Sequence, residues 1–420
     1  MNITVFPSTL GGVYTAPPSK SAAHRAVITA ALARGHSVIE NVDMSSDITA
    51  TAGACEALGC SVNIEPSGRY NKLHIEGGMS IKGEAHIDCA ESGSTLRFMI
   101  PVACTLEGRK AFFGRGRLPQ RPIGEYIRIF DEQGLRYSKP EDLNLPLSVS
   151  GTLRSGEYVI DGGVSSQYIT GLLMALPLLS GASTITVTGS FESKGYVDMT
   201  LATLKGFGVD IERRGSTYII EGNQSYKPRC ISIEGDYSQA AFFMAGAALS
   251  GDLTIEGLGA RSLQPDRAIV DILRRMGADI EQAGGALRVR QSKLHGAGID
   301  VSQCPDLVPP IAAAAAFAHG VTHITGAARL RIKESDRLRA LSVNLNNIGV
   351  ETIEREDSLV INGGAVRGGK IDSLGDHRIA MAFAIMALRS ESGVTIEGAE
   401  CTAKSYPAFF EELKALGGRV

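Results

Sequence analysis

Six stretches of the sequence are apolar on nearly every side of a predicted helix. Residues 240–249 are typical, since alanine, phenylalanine, methionine and leucine dominate and no polar side chain interrupts them. A helix without a polar face is buried inside a domain. The polar residues that open the six stretches recur at intervals of 70 to 73 residues: Ser19, Ser92, Ser165, Asp236, Asp306 and Asp376. This period predicts six copies of one structural unit.

A second marker keeps nearly the same period. In each unit a glycine closes a second, amphipathic helical stretch, and glycine suits the left-handed conformation that ends many helices. These glycines recur at intervals of 68 to 75 residues: Gly59, Gly134, Gly208, Gly277, Gly349 and Gly417. Residues 183–188 and 393–397 alternate between apolar and polar positions, which is typical of strands. Each unit is therefore predicted as helix, strand, helix and further strands, and the fold class as α/β.

The six units fall into two sets. The first three helices open with serine and the last three with aspartate. We therefore predict two α/β domains, each with pseudo-threefold symmetry. The boundary between the two sets of units lies near residues 230–235. The segment before Ser19 is predicted as a strand that could belong to either domain.

The residues at the helix starts have two interpretations. Serine and aspartate are common N-terminal caps, and capping alone explains an isolated one. Three buried helices related by a threefold axis, however, point their N-termini the same way and together attract an anion. Lysines and arginines lie beside these starts, as expected for a site that binds small anions: Lys20, Arg25, Arg97, Arg121, Lys333, Arg337, Arg378 and Lys404. Arg97 and Arg378 lie in apolar runs, and a buried arginine calls for an anionic partner.

The composition argues against several classes of function. A formal net charge of −3 argues against a nucleic-acid binder. The sequence has no phosphate-binding loop, no dinucleotide-binding motif and no residues with metal-ligand spacing, so we expect no cofactor and no metal. Its apolar stretches are too short to span a membrane. The seven cysteines are scattered, as in a cytoplasmic protein with reduced thiols.

Nine short motifs resemble those of the EPSP synthase family of enolpyruvyl transferases. One such motif alone would be weak support, but nine in the family's order, along nearly the whole chain, are a strong signal. In one-letter code they are PSKSAAHR (18–25), SGSTLR (92–97), LPQRP (118–122), SSQ (165–167), SKGY (193–196), PD (305–306), RIKESDR (331–337), DHR (376–378) and TAKS (402–405).

The resemblance implies a domain arrangement. Two inside-out α/β domains, with helices inside and sheets outside, would enclose the active site in the cleft between them. Residues 1–18 and 235–420 would form a discontinuous second domain, and residues 19–234 the first domain, on the shikimate 3-phosphate side. The resemblance also implies an enzyme of the shikimate pathway, which leads through chorismate to the aromatic amino acids. We expect this enzyme to be a monomer in the cytoplasm.

The implied activity is 3-phosphoshikimate 1-carboxyvinyltransferase (EC 2.5.1.19). The 5-hydroxyl of shikimate 3-phosphate would attack the enol carbon of phosphoenolpyruvate while the methylene carbon is protonated. A tetrahedral intermediate would then lose phosphate. The resemblance assigns acid–base catalysis to Asp306, Glu334 and Lys20. Which group acts in which step stays open, and His377 could assist or be purely structural.

The resemblance also implies the residues that bind the two substrates. Shikimate 3-phosphate would contact Lys20, Ser21, Arg25, Ser165, Ser166, Gln167, Ser193, Tyr196, Asp306 and Lys333. Phosphoenolpyruvate would contact Lys20, Gly93, Arg121, Arg337, Arg378 and Lys404, with Arg97 supporting that site. In this family the herbicide glyphosate occupies the phosphoenolpyruvate site, and insensitive relatives carry alanine at the position of Gly93.

Three positions depart from the family pattern. Glu91 and Arg329 stand where many relatives have asparagine, so those two substrate contacts do not transfer, and Phe98 replaces a common proline. Two alternatives also remain. The sister enzyme that acts on a UDP-sugar typically has Lys-Asn where this chain has Lys20-Ser21, and often has a cysteine in the segment at residues 118–122. A non-enzymatic anion-binding repeat protein would need only the helix starts, but the presence of Lys333, Glu334 and Asp306 disfavours it.

Overall fold

The helices of the protein recur along the whole chain. This computed structural model describes residues Met1–Val420, apart from the side chain of Ala283. Its α-helices are α1 (Lys20–Leu32), α2 (Ser46–Ala57), α3 (Gly93–Ala103), α4 (Gly124–Gln133), α5 (Ser166–Ala175), α6 (Lys194–Gly206), α7 (Tyr237–Ser250), α8 (Ala268–Arg275), α9 (Val308–Ala315), α10 (Arg337–Asn347), α11 (His377–Ala387) and α12 (Phe409–Ala415). Short 3₁₀ turns cover Leu118–Gln120, Leu176–Leu178, Pro265–Arg267, Pro305–Leu307, Ala328–Ile332 and Ala399–Lys404.

The strands are short and alternate with the helices. They are β1 (Asn2–Val5), β2 (Leu10–Thr15), β3 (Gly35–Val42), β4 (Ser61–Ser67), β5 (Tyr70–Gly77), β6 (Glu84–Asp88), β7 (Arg109–Phe113), β8 (Arg136–Ser138), β9 (Leu147–Ser150), β10 (Glu157–Asp161), β11 (Ser183–Thr188), β12 (Glu212–Arg214), β13 (Thr217–Ile220), β14 (Cys230–Ser232), β15 (Gly251–Glu256), β16 (Asp279–Ala283), β17 (Ala286–Arg290), β18 (Gly298–Asp300), β19 (Val321–Thr325), β20 (Thr352–Glu354), β21 (Leu359–Asn362), β22 (Gly369–Asp372) and β23 (Val394–Glu397).

The chain forms two compact units. The discontinuous unit consists of Met1–Ser19 and Glu234–Val420, and the inserted unit consists of Lys20–Ile233. Each unit has its own hydrophobic core. The N-terminal strand β2 lies in the discontinuous unit, where it pairs in parallel with β15.

Five of the six sheets share one four-stranded topology, and the sixth sheet has three strands. In the inserted unit their strand orders are β14-β3-β5-β4, β6-β7-β9-β8 and β10-β11-β13-β12. In the discontinuous unit they are β16-β17-β15-β2, β18-β19-β21-β20 and β1-β23-β22. Each sheet contains one parallel pair, for example β6 with β7, and its other pairings are antiparallel. The recurrence confirms the predicted repeat and the α/β class.

The helices predicted to be fully apolar are the buried ones. In α7 every residue from Tyr237 to Leu249 is buried, and the helix contacts α9 and α11. In the inserted unit α3 packs against α5. The predicted strand at residues 183–188 matches β11, whose side chains alternate between buried and more exposed positions. The pattern of apolar positions in the sequence therefore predicted which helices and strands form the core.

The six marker glycines all have positive φ angles, between 70° and 103°. Residues with a Cβ rarely adopt positive φ angles, which explains why glycine occupies each of these six positions. Gly134, for instance, ends α4 in the left-handed region. Among the residues described, no helix is both long and apolar enough to cross a membrane.

Candidate active site

Five of the six residues at the predicted helix starts immediately precede an α-helix, but Asp306 does not. Ser92, Ser165, Asp236 and Asp376 each accept a backbone N–H of the first helical turn. Asp306 instead lies inside the 3₁₀ turn Pro305–Leu307, and α9 starts two residues later. Prolines follow Val308 in the first turn of α9, where their fixed φ favours a helix start. The prediction that Asp306 caps its helix was therefore wrong, and its carboxylate is turned to other partners.

Arg337 is the centre of a buried charge cluster in the discontinuous unit. Its side chain is 1% exposed. Nε donates to Asp376 Oδ2 at 2.7 Å, Nη1 to Asp306 Oδ1 at 3.0 Å, and Nη2 to Glu334 Oε2 at 2.7 Å. Anions nearby offset the cost of burying a guanidinium, and here three carboxylates do so. The sequence marked Arg337, Asp306 and Glu334 as site residues but treated Asp376 as a helix cap.

Three further cations border the same carboxylates. Arg378 lies 3.4 Å from Asp306 Oδ2, and Lys333 Nζ lies 3.5 Å from Asp306 Oδ1. Lys404 Nζ lies 3.7 Å from Glu334 Oε1. With Arg337, four cations therefore meet three carboxylates. The excess of positive charge suits an anionic ligand.

The cations hold Asp306 in its ionised form. Burial would raise the pKa of Asp306, but Arg378, Lys333 and Arg337 outweigh it, so the pKa lies well below its usual range. Arg337 responds in the opposite sense. Burial would lower its pKa, and Asp376, Glu334 and Asp306 instead raise it above its usual range. Arg337 and Asp306 are thus a fixed cation and a fixed anion at neutral pH.

Lys20 opens α1 in the inserted unit and pairs with a carboxylate that the sequence analysis missed. Lys20 Nζ donates to Asp47 Oδ2 at 2.8 Å. Their side chains are 18% and 8% exposed, so the pair is largely shielded from water. Asp47 lies in the first turn of α2, where an acidic residue is common for helix-dipole reasons alone. Because the helix dipole alone accounts for an acidic residue at this position, the sequence did not reveal that Asp47 pairs with Lys20.

Arg25 is buried among neutral groups. Its nitrogens donate to the Ser21 carbonyl at 2.7 Å, the Tyr196 carbonyl at 2.9 Å and the Thr200 hydroxyl at 2.9 Å. Burial lowers the pKa of Arg25 to about 10. The residue remains protonated at neutral pH, and the groups in its described hydrogen bonds are uncharged. Such a cation would be stabilised by an anionic ligand.

Arg97 joins the starts of two buried helices, α3 and α5. Its Nη1 donates to Gln167 Oε1 at 2.7 Å and its Nη2 to the Pro122 carbonyl at 2.9 Å. The Gln167 amide nitrogen donates in turn to Ser94 Oγ at 3.0 Å. Arg97 is 2% exposed, as its apolar sequence context predicted, but these described partners are neutral. Both polar ends of the Gln167 side chain are thus engaged within the protein.

Gly93, the first residue of α3, lies against Arg121. A Cβ built on Gly93 would be 2.5 Å from Arg121 Nη1. Arg121 is 8% exposed, and its carbonyl accepts from the Asn144 side chain at 3.0 Å. The missing side chain of Gly93 is therefore what allows the guanidinium to approach the helix N-terminus.

The predicted serines of the inserted unit occupy helix starts. Ser165 Oγ accepts the Gln167 N–H at 3.3 Å, and Ser166, the next residue, is buried. Ser193 is 3% exposed, has a positive φ of 53°, and accepts the Tyr196 N–H at its carbonyl. Hydrogen bonds also link Ser21, Arg25 and Tyr196.

In the discontinuous unit one connected cluster of ion pairs joins six of the predicted site residues: Asp306, Lys333, Glu334, Arg337, Arg378 and Lys404.

The structure also shows the surroundings of His377 and of two residues that depart from the family pattern, Glu91 and Arg329. The Glu91 carboxylate lies against Gly116, whose Cβ would be 2.7 Å from Glu91 Oε1. Arg329 donates to the Ser302 carbonyl at 3.1 Å. His377 is buried, and its Nδ1 lies 4.0 Å from Asp376 Oδ1. Among the described residues, no group of three or more histidine, cysteine, aspartate or glutamate side chains could hold a metal ion.

The chain is similar to proteins of one family over almost its full length. Residues 6–413 match the family model described as EPSP synthase (3-phosphoshikimate 1-carboxyvinyltransferase). A 3-phosphoshikimate 1-carboxyvinyltransferase from Clostridium kluyveri is 49% identical, with 100% of this chain and 98% of that protein aligned. One from Clostridioides difficile is 44% identical, also with 100% and 98% coverage.

Solved structures are similar as well. An EPSP synthase from Acinetobacter baumannii superposes with a TM-score of 0.82 at 28% identity, covering 99% of this chain and 98% of that one. The enolpyruvyl transferase NikO from Streptomyces tendae superposes with a TM-score of 0.80, covering 99% and 97%. At 16% identity, the likeness to NikO concerns the fold alone.

Proposed function

The chain belongs to the EPSP synthase family, and on that premise we propose how its residues carry out the reaction. The protein is an enzyme that transfers the enolpyruvyl group of phosphoenolpyruvate to shikimate 3-phosphate, a step of the shikimate pathway.

The proposed mechanism is an addition followed by an elimination. The 5-hydroxyl oxygen of shikimate 3-phosphate bonds to C2 of phosphoenolpyruvate, its proton passes to a base, and C3 takes a proton from an acid. The resulting tetrahedral intermediate then loses a proton from its new methyl group. Phosphate leaves with the electron pair of its bond to C2, and the C2–C3 double bond is restored. The reaction therefore needs two acid–base groups beside one carbon centre.

One observation carries the assignment of those groups. Asp306 and Glu334 accept hydrogen bonds from the two terminal nitrogens of the same buried guanidinium, that of Arg337. Rigid placement of two carboxylates lowers the entropic cost of bringing both to the reacting centre. We assign proton removal from the 5-hydroxyl to Asp306, and protonation and deprotonation of C3 to Glu334, with Lys20 as the third acid–base group.

The depressed pKa of Asp306 needs a specific explanation, because a weakly basic carboxylate is a poor proton acceptor. The substrates each carry about two to three negative charges near neutral pH. Their phosphate and carboxylate groups would compete with Asp306 for Arg378, Lys333 and Arg337. Loss of those partners would raise the pKa of Asp306 and make it a better base when both substrates are bound.

The proposed binding residues divide between the substrates by their charge and hydrogen-bonding groups. Arg25, which is buried among neutral partners, supports a phosphate contact in the inserted unit. For shikimate 3-phosphate we propose Lys20, Ser21, Arg25, Ser165, Ser166, Gln167, Ser193, Tyr196, Asp306 and Lys333. For phosphoenolpyruvate we propose Lys20, Gly93, Arg97, Arg121, Arg337, Arg378 and Lys404. Arg97 would in addition position Gln167 for shikimate 3-phosphate, because its Nη1 donates to the Gln167 side chain.

An acceptor comparison tests the proposed function. Phosphate release from phosphoenolpyruvate would be measured with shikimate 3-phosphate and, separately, with UDP-N-acetylglucosamine, and the product identified by mass spectrometry. We expect stoichiometric phosphate and an enolpyruvyl ether with shikimate 3-phosphate alone. Turnover with the UDP-sugar, or none with shikimate 3-phosphate, would overturn the proposal.

We further propose that the enzyme acts as a monomer in the cytoplasm. The cysteines support a reducing compartment, since all seven are unpaired. Burial raises the pKa of Cys60 and of Cys104 to about 12, so these thiols stay protonated and inert. Light scattering coupled to size exclusion would give 44.4 kDa for the monomer, and twice that mass would refute it.

A further inference from the structure

Two solvent-accessible histidines, one exposed and one half-buried, face each other on the sheet β14-β3-β5-β4 of the inserted unit. His36 is on β3 and His74 on the neighbouring antiparallel strand β5. In the register of this pair His36 lies opposite Glu76, and His74 lies two positions further along, opposite Val38. The histidines are thus diagonal neighbours on one face of the sheet, whereas Ile39 and Ile75 point into the core.

Each histidine is fixed by a carboxylate at its outer nitrogen. His36 Nδ1 lies 2.7 Å from Glu76 Oε1, and His74 Nε2 lies 2.7 Å from Glu65 Oε2. An ionised carboxylate only accepts hydrogen bonds, so the proton of each ring is on the nitrogen that faces the carboxylate. A neutral ring then carries a lone pair on its other nitrogen. In His36 this is Nε2, and in His74 it is Nδ1.

These two inner nitrogens are 3.5 Å apart. Two lone pairs repel at that distance unless something between them accepts both, and the candidates are a shared proton and a metal ion. A tetrahedral ion with metal–nitrogen bonds of about 2.0–2.1 Å holds two ligand nitrogens about 3.3–3.4 Å apart. The observed separation is close to this value, and the rings are held at an interplanar angle of 28°.

The surrounding carboxylates match the usual environment of a metal-binding histidine. Such a histidine generally donates its second N–H to a carboxylate, which fixes the tautomer and makes the ligand more basic. Both rings here have that partner, in Glu76 and Glu65. Both also project from strands that are paired in a sheet, so little backbone rearrangement would be needed for binding.

We propose that His36 and His74 form a binding site for one divalent late first-row transition metal ion, of which Zn²⁺, Ni²⁺ and Cu²⁺ are the members that imidazole binds well. The two inner nitrogens are the protein ligands, and water completes the coordination. The site uses none of the residues assigned above to the two substrates.

The direct test is a calorimetric titration of the full-length chain, without an affinity tag, with Zn²⁺. We expect one equivalent to bind, and both His36→Gln and His74→Gln to weaken binding at least about tenfold. Glu65→Gln and Glu76→Gln should weaken it by up to about 10–100-fold, the range for outer-shell carboxylates. The control is His86→Gln, because His86 is an exposed histidine on β6, 3.9 Å from Glu84, and should leave binding unchanged.

A second readout separates metal ligation from a general effect of charge. Electron paramagnetic resonance of the Cu²⁺ complex should show coupling to two imidazole nitrogens in the wild type and to one in each histidine variant. Unchanged Zn²⁺ affinity in His36→Gln and His74→Gln would overturn the proposal. An absence of stoichiometric binding to the wild type would also overturn it and leave a shared proton as the explanation of the close approach.

Discussion

The guanidinium of Arg121 lies directly against Gly93, so that a Cβ on Gly93 would be 2.5 Å from Nη1 and 2.7 Å from Cζ of Arg121. Gly93→Ala should therefore displace the arginine side chain, which can move because it is the far end of a flexible chain. The displaced Arg121 would lose a charge-assisted hydrogen bond to phosphoenolpyruvate, and such a loss costs about 1.5–3 kcal/mol. We expect the KM for phosphoenolpyruvate and the inhibition constant for glyphosate to rise about 10–100-fold.

Gly124→Ala is the matched control for this change. Gly124 is also the first residue of an α-helix, α4, and a Cβ there would meet no atom within 4 Å. Steady-state kinetics should be unaltered in this variant. Equal glyphosate inhibition of Gly93→Ala and the wild type would remove Arg121 and Gly93 from the phosphoenolpyruvate site.

The acid–base assignment predicts the effect of two conservative substitutions. Glu334→Gln and Asp306→Asn keep the size of each side chain but remove its proton transfer, which typically contributes about 10²–10⁴-fold to the rate. We expect turnover to fall by that factor in each variant. Binding of shikimate 3-phosphate, measured by calorimetry, should weaken less in Glu334→Gln than in Asp306→Asn, because only Asp306 is proposed to contact that substrate.

The control for these variants is Glu356→Gln, since Glu356 is exposed in the turn between β20 and β21. It should retain wild-type turnover. A turnover within about twofold of wild type in Glu334→Gln or Asp306→Asn would exclude that residue from acid–base catalysis.

Arg337 should also matter for stability. Arg337→Met would leave Asp306, Glu334 and Asp376 close together without their shared partner, and breaking a buried ion pair costs about 3–5 kcal/mol. We expect the free energy of unfolding to fall by about that amount in urea denaturation at neutral pH. Arg339→Met, on the same helix but with an arginine side chain 68% exposed, should change it by no more than about 0.5 kcal/mol.

The stability difference should depend on pH. The pKa of Asp306 is lowered in the folded wild type, so its contribution to stability is present above the unfolded value of 3.8 and is lost as the pH falls through the folded value. Protonation of the crowded carboxylates relieves their repulsion in Arg337→Met. The gap between variant and wild type should therefore narrow in acid, and a gap that widened would contradict the cluster's charge assignment.

His24 predicts a second pH effect, in the inserted unit. Burial lowers the pKa of His24 from 6.5 to about 3, and its Nδ1 lies 2.7 Å from Thr51 Oγ1. Below about pH 6.5, His24 is protonated in the unfolded chain but stays neutral in the folded chain. The free energy of unfolding therefore falls as the pH falls. Between about pH 7 and pH 5 this single group should cost about 2 kcal/mol. His24→Gln should lose correspondingly less stability over that interval than the wild type, whereas exposed His323→Gln should follow the wild type.

The fold was predictable where burial dictates composition. Helix α7 has no polar face because it is surrounded by protein, and Gly134 ends α4 with a positive φ that few other residues tolerate. Both signals are local, so each repeat shows them in its own sequence. The bounds of β11 were predictable for the same reason, since alternation records which side of the strand is buried.

The candidate site was less predictable, because its contacts join distant parts of the chain. Asp306 pairs with Arg337, 31 residues away, and with Arg378, 72 residues away, and a local pattern could not distinguish that carboxylate from a helix cap. Asp47 was missed because an acidic residue in the first turn of a helix has an ordinary explanation. The bonds of Gln167 to Arg97 and Ser94 were not predicted, because they depend on how α3 packs against α5.

The most direct test of the account is whether C3 of phosphoenolpyruvate is protonated during turnover. The enzyme would convert phosphoenolpyruvate and shikimate 3-phosphate in D₂O, and the vinyl group of the product would be examined by NMR and mass spectrometry. Addition followed by elimination passes through a methyl group that contains one solvent deuteron, so part of that deuterium must remain in the product's methylene. In Glu334→Gln, the rate of deuterium incorporation at C3 and the rate of turnover should fall together. A wild-type product that contains no deuterium would contradict the mechanism and, with it, the role assigned to Glu334.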